Sequence, residues 1–194
     1  MTEPPAAAVV SAVLAAPARL GGVRVLAIDG PSGAGKTTFA RAVVAEFGRR
    51  GRRVTLIGTD EFATWDEPVA WWPRLRDGVL RELAVGRPGG YRRTEWPQGV
   101  PRLGASVVVA VPDVLVLEGV SAGRASVRPS LSHLCWVDEP DPAARLERAV
   151  ERDGEASRER LSGWQAFERG WFAVDETPLH AHTSFGAVQL GYFD

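Results

Sequence analysis

The chain has 194 residues, enough for one domain with a real core, and its 23 basic and 24 acidic residues leave a net charge of -1. That balance argues against non-specific nucleic-acid binding, and no apolar run reaches the ~18 residues of a membrane span, so neither nucleic acid nor a membrane is an expected partner. The single cysteine, Cys135, excludes an intramolecular disulfide; set among Leu134, Trp136 and Val137 it reads as buried and inert, in a cytoplasmic protein.

In chain order, residues 6–16 predict a short amphipathic helix with Val9, Val10, Val13 and Leu14 on one side. Val23 to Ile28 is nearly all apolar and reads as a strand buried on both faces. A helix follows over 36–48, with Phe39, Val43, Val44 and Phe47 inward, and a second strand over 53–57. Trp71, Leu75, Val79 and Leu83 recur every four residues, which predicts a helix over 68–85. Residues 86–104, rich in Gly, Pro and Arg, read as an exposed excursion. Strands are expected at 107–111, 114–117 and 134–137, and helices at 142–152 and 157–174, with Pro142 at a favoured helix start. A short last strand is expected at 187–190. Strand and helix alternate, the pattern of a parallel sheet with helices on both faces.

The 23 basic residues are 22 Arg and one Lys, Lys36. Where composition has replaced Lys almost everywhere, the survivor marks a site where the wide planar guanidinium fails. Lys36 lies in Gly30-Pro-Ser32-Gly33-Ala34-Gly35-Lys36-Thr37, which matches the phosphate-loop (Walker A) pattern G-x-x-x-x-G-K-[ST], between a predicted strand and a predicted helix. The glycines let successive N–H groups converge on an anion, and the helix start adds free N–H groups through Thr38. Lys36 would reach the outer phosphates of ATP and the Thr37 hydroxyl would ligate Mg²⁺. The expected fold is a three-layer α/β P-loop nucleoside triphosphate hydrolase fold around a parallel sheet of about five strands.

In such sheets ligands lie beyond the carboxyl ends of the strands. Three predicted strand ends carry acids: Asp60, Glu118 and Asp138. Transfer of a phosphoryl group to a hydroxyl needs a carboxylate to accept the proton and acidic groups or water on Mg²⁺. Asp60 is the candidate base and Glu118 the candidate metal-side acid, acting through water; a helix cap or a solvated loop acid is the plain alternative for each. Arg145, Arg148 and Arg152 share one helix face, either as a solvated face or as part of a lid that neutralises the transferring group. Trp71 and Trp72 read as packed helix residues. Trp65 and Trp96 lie in loops and could stack on an acceptor. His180 and His182, with no clear third ligand, are poor candidates for a metal site.

Ile28 to Thr38, the Asp60-Glu61-Phe62 corner, Trp65-Asp66-Glu67-Pro68, Leu117-Glu118-Gly119 and Arg145 to Asp153 follow in an order and spacing that resembles the uridine kinase-like family of P-loop kinases, over roughly residues 23–190. The resemblance implies ATP as donor, a nucleoside-like acceptor and Asp60 as base. It further implies that Asp66 holds the acceptor's sugar hydroxyls, that the loop at Tyr91-Arg92-Arg93 contacts its base, and that Arg145, Arg148 and Arg152 are the lid arginines. Three departures stand out: Asp153-Gly154-Glu155 replaces the usual Arg-Gly-Arg, Phe62 replaces the commoner Tyr, and the acceptor loop lacks a histidine. They leave phosphoryl transfer intact and the acceptor open.

The expectation is thus a single kinase domain over 1–194, with an N-terminal helical extension at 1–20, an acceptor-side excursion at 86–106 and a lid at 152–160; a homo-oligomer is compatible with it. The alternatives are a kinase of a nucleoside monophosphate or vitamin precursor, for which Arg92-Arg93 or Arg74 and Arg76 could bind the acceptor's charge, and a nucleotide-binding module with little turnover.

Overall fold

The computed structural model describes residues 4–186. Five parallel strands form the central sheet: β1 (Arg24–Asp29), β2 (Val54–Gly58), β5 (Val114–Glu118), β6 (His133–Asp138) and β7 (Thr183–Gly186), in the order β2-β5-β1-β6-β7. The register sets Ile28 beside both Glu118 and Cys135, so β5 ends beside Ile28 and β6 runs two residues past the partner of Asp29.

Alternation along β1 explains the layers. Leu26 and Ile28 pack on one face with Val9, Val10 and Val13 of α1 (Pro5–Ala15) and Phe39, Val43 and Phe47 of α2 (Lys36–Arg49). Val25 and Ala27 pack on the other with Trp71, Leu75, Val79 and Leu83. The three-layer expectation holds, and the apolar N-terminal stretch is one more core helix.

The helix expected over 68–85 is shorter and broken. It comprises α3 (Trp72–Leu75), a π-helical turn (Arg76–Leu80) and α4 (Arg81–Ala84). The cause is at Gly78: the Gly90 carbonyl occupies the place a Cβ would take, so the wide turn sits directly against the next strand. That strand corrects a second expectation. Residues 86–104 are not irregular, and 107–111 do not join the main sheet. β3 (Gly89–Glu95) and β4 (Arg102–Val109) form a separate antiparallel hairpin in which Tyr91 opposes Val107, with a bulge between Arg92 and Thr94. The chain returns to the sheet after Asp113, whose carboxylate takes the Arg53 N–H at 2.9 Å.

α5 (Pro142–Asp153) and α6 (Arg158–Asp175) follow β6. The segment expected as a lid is a tight corner between them: Gly154 at φ 90°, then one 3₁₀ turn, Glu155–Ser157. Arg158 stitches it, bonding Glu147 at 2.7 and 2.9 Å and Glu155 at 2.5 and 3.0 Å. The strand expected at 187–190 lies outside the described residues, and β7 closes the sheet just before it. No helix among the described residues is long and apolar enough to cross a membrane. Cys135 is fully buried, and burial pushes its thiol up, against reactivity. His182 accepts the Leu134 N–H at 3.0 Å and stacks on His133.

Candidate active site

β1 ends at Asp29 and α2 begins at Lys36; the six residues between form a bend that requires glycine at three positions. Gly30, Gly33 and Gly35 have φ of 148°, 80° and 92°. A side chain at Gly30 would strike the Val137 carbonyl, and one at Gly33 the Arg145 carbonyl, so the loop is wedged between the end of β6 and α5. Lys36 is 6% exposed, and its Nζ donates to the Pro31 carbonyl at 2.9 Å, arching over its own loop. Ala34 is fully buried beneath, while Thr37 and Thr38 are exposed on the first turn of α2. Free N–H groups, a helix start and one ammonium around a concave loop suit the phosphates of a nucleotide.

Across this loop stand the acids. Thr37 Oγ1 donates to Glu118 Oε1 at 3.2 Å. Burial pushes the Glu118 carboxyl up; Lys36 pulls it down, Asp60 pushes it up again, and Thr37 and Arg152 pull it down. These groups therefore share one electrostatic environment. Among the described residues there is no cluster of three or more His, Cys, Asp or Glu that could cage a metal. A hydroxyl and one carboxylate suit Mg²⁺, which keeps waters and takes its remaining oxygens from phosphates.

Asp60 is exposed in the 3₁₀ turn Thr59–Glu61 that follows β2. The turn is held from below by Glu61, whose Oε1 accepts the Gly58 N–H at 3.3 Å and whose Oε2 accepts the Tyr91 hydroxyl at 2.8 Å. It is held from above by Trp96, whose indole N–H donates to the Asp60 carbonyl at 3.1 Å. Trp65 meets Trp96 edge-on at 5.1 Å and Trp164 at 6.0 Å, with Arg160 over its ring. The hairpin tip, the corner after β2 and α6 thus meet in one aromatic wall beside Asp60. Asp66 is exposed just beyond Trp65, and Arg93 bonds Glu95 at 3.3 Å. Trp71 is 2% exposed and Trp72 packs beside it, as expected of helix residues.

The three arginines expected on one lid face divide. Arg152 is exposed, paired with Asp153 at 2.6 Å, and in the field of Asp60 and Glu118. Arg148 donates to the Gly33 carbonyl at 2.8 Å and to Glu139 at 2.7 Å. Arg145 departs from the expectation of a solvated or lid face: it is buried, with Nη1 2.9 Å from Glu168 Oε1, and so is committed to the underside of the loop. The physical reason is the helix pitch, since seven residues carry the face from the loop's underside at Arg145 to the cleft at Arg152.

Two residues with large roles here escape sequence reasoning. Glu168, fully buried on α6, accepts the Ser32 N–H and hydroxyl. Asp29, also fully buried, accepts the N–H groups of Gly30 (2.7 Å), Ser121 (3.1 Å) and Gly123 (2.7 Å), tying the loop's start to the segment after β5. The one available signal is that Leu161, Gln165 and Glu168 fall on a single helical face, an inward stripe that turns polar.

A possible uridine kinase from Bacillus stearothermophilus matches with a TM-score of 0.68 at 18% identity, covering 93% of this chain and 96% of that one. The fold is that of the uridine kinase-like P-loop kinases. A protein described as a fructose transport system kinase, from Silicibacter sp. TM1040, shares this P-loop kinase fold with a TM-score of 0.63 at 19% identity, over 95% of this chain and 99% of that one. D-glycerate 3-kinase from Cryptococcus neoformans does so at 0.61 and 10% identity, over 86% and 88%. No family model matches the chain, and no curated relative does.

Proposed function

We propose that the chain is an ATP- and Mg²⁺-dependent kinase of a small, uncharged, hydroxylated acceptor, a nucleoside in the simplest case, acting as one domain. The observation that carries this reading is Asp60: an exposed carboxylate on a turn braced from both sides, in the same field as Glu118 and Arg152. A protein that only bound nucleotide would have no use for an acid held there.

Lys36, Arg152 and the N–H groups of Gly33 to Thr38 would hold the donor's phosphates, and Thr37 with Glu118, through water, would hold Mg²⁺. The ion supplies charge neutralisation between the outer phosphates. Asp60 takes the proton of the acceptor hydroxyl, whose oxygen then bonds the outer phosphorus as the bond to the ADP oxygen breaks. The indoles of Trp65 and Trp96 offer an apolar wall for the acceptor, with Asp66 and Arg93 at its rim.

The state of the nearby arginines favours an acceptor without a phosphate of its own. Arg74 donates to the Phe62 and Arg92 carbonyls, Arg92 to the Leu103 and Gly104 carbonyls, Arg76 to Asp77 and Arg93 to Glu95. Each candidate for gripping an acceptor phosphate already has an intramolecular partner. The second reading, a slow nucleotide-binding module, draws on Arg158, which two glutamates hold away from the cleft.

The test is ATP consumption measured across nucleosides, nucleoside monophosphates, vitamin precursors, and the sugar and hydroxy-acid acceptors for which two of the compared kinases are named. Turnover with an uncharged polyol or nucleoside is expected. Turnover confined to monophosphates would reject the acceptor class, and none with any member would favour the module.

A further inference from the structure

The first half of the phosphate loop is gripped by α5 and α6, the two helices that meet at the 154–157 corner. Both Glu168 oxygens accept the Ser32 N–H, at 3.1 and 3.0 Å, and Oε2 also accepts the Ser32 hydroxyl at 2.8 Å. Arg145 of α5 reaches the Ser32 carbonyl at 3.4 Å, and Arg148 the Gly33 carbonyl at 2.8 Å. The Cα of Gly33 lies directly against the Arg145 backbone, with no room for a side chain. Every polar group of Ser32 is thus bonded to α5 or α6, through bonds that are partly buried.

A carboxylate beside an anion-binding loop needs explaining, because by itself it would repel phosphate. Here Glu168 Oε1 also takes the Arg145 guanidinium at 2.9 Å, and both side chains are buried, at 0% and 7% exposure. The pair brings a strong acceptor to the loop while adding no net charge beside it. The loop is held by the helices whose corner carries Arg152.

We propose that Glu168 is a positioning residue that makes the phosphate loop and the α5–α6 corner one mechanical body, so that a nucleotide seated on the loop sets where Arg152 stands. The proposal rests on the nucleotide-binding reading of the loop. It differs from a purely structural role, since burial alone would stabilise the fold without transmitting anything from loop to corner.

The experiment uses the full chain with Mg²⁺ and the non-hydrolysable β,γ-methylene analogue of ATP. Calorimetry reads its binding, and amide hydrogen exchange reads residues 152–160 with and without it. In the parent chain the analogue should slow exchange in 152–160. In Glu168→Ala the analogue should still bind, within roughly tenfold, while the corner no longer responds, and Glu168→Gln, which keeps one acceptor for Ser32, should restore part of the response. A full corner response in Glu168→Ala overturns the proposal. If the parent chain itself binds no analogue, the nucleotide reading falls and takes the proposal with it, an outcome distinct from binding without transmission. Should Glu168→Ala not fold, exchange of the parent chain in rising denaturant decides. Amides of 32–35 and 155–160 opening together support one body, and separate opening refutes it.

Discussion

Thr37 and Glu118 are 81 residues apart in sequence and joined by a 3.2 Å hydrogen bond from the hydroxyl to the carboxylate. The bond links the first turn of α2 to the end of β5 across the cleft, and on the proposed reading it joins the two residues that would hold Mg²⁺. Glu118→Gln keeps the shape and removes the charge. It should shift the Mg²⁺ concentration for half-maximal turnover upward by roughly tenfold, read from rate against metal at saturating ATP. An unchanged metal dependence would remove Glu118 from the metal side.

Asp60 is braced by Trp96 and Glu61 through its turn, not through its own carboxylate. Asp60→Asn should therefore fold normally and bind ATP nearly as the parent does, with turnover lower by ~100-fold or more. A variant that turns over at the parent rate would show that another group takes the proton.

Lys36 is the one lysine in the chain, tucked over the loop with its ammonium on the Pro31 carbonyl. Lys36→Arg preserves the charge but presents a wide fork in a slot 6% exposed. Phosphoryl transfer should be abolished although the protein stays folded, as checked by circular dichroism beside the activity assay.

Arg145 and Arg152 share a helix but should fail differently. Arg145→Ala leaves Glu168 buried and uncompensated, with an expected loss of about 3–5 kcal/mol of stability in chemical denaturation. Arg152, exposed and paired with its neighbour Asp153, should change stability by no more than about 0.5 kcal/mol on conversion to Ala, while turnover drops. Equal stability losses in the two variants would contradict the division.

Two buried groups should oppose each other in the pH dependence of stability. Burial pushes Asp29 up to about 7 against the pull of the Gly123, Gly30 and Ser121 N–H groups and Lys36; the folded chain keeps a proton that the unfolded chain releases near 3.8. This contribution falls as pH rises from about 4 to 7. Burial, aided by His182, pushes His133 down to about 4, so the unfolded chain binds a proton near 6.5 that the folded chain refuses. That contribution is lost as pH falls from 6.5 towards 4. Denaturation midpoints across pH 4–8 should tilt upward with pH in Asp29→Asn and downward in His133→Gln, relative to the parent. Parallel curves for all three would refute both assignments.

Legibility from sequence followed the range of the interactions. The phosphate loop was readable because its chemistry is local: glycines at positive φ, one lysine and a helix start, all within eight residues. The parallel sheet was readable because β1, β5 and β6 are buried on both faces and so run apolar without alternation. The hairpin β3–β4 was not, because its strands are half-exposed and its packing brings Gly78 against Gly90 across the chain. Glu168 was invisible for the same reason: an acid on a helix reads as solvated until the fold closes over it.

The sequence by itself determined a nucleotide-binding loop, the alternation that stacks helices on a parallel sheet, and acids at the ends of β2 and β5. Those features rest on backbone conformation, period and strand ends, all of which a linear pattern records. Only the tertiary structure decided which arginine faces the cleft and which is buried, that four nearby arginines are already partnered, and that a carboxylate from α6 holds the loop. These depend on desolvation and on the pairing of groups as far as 136 residues apart, and the cost of an unpaired buried charge appears only when the partners meet.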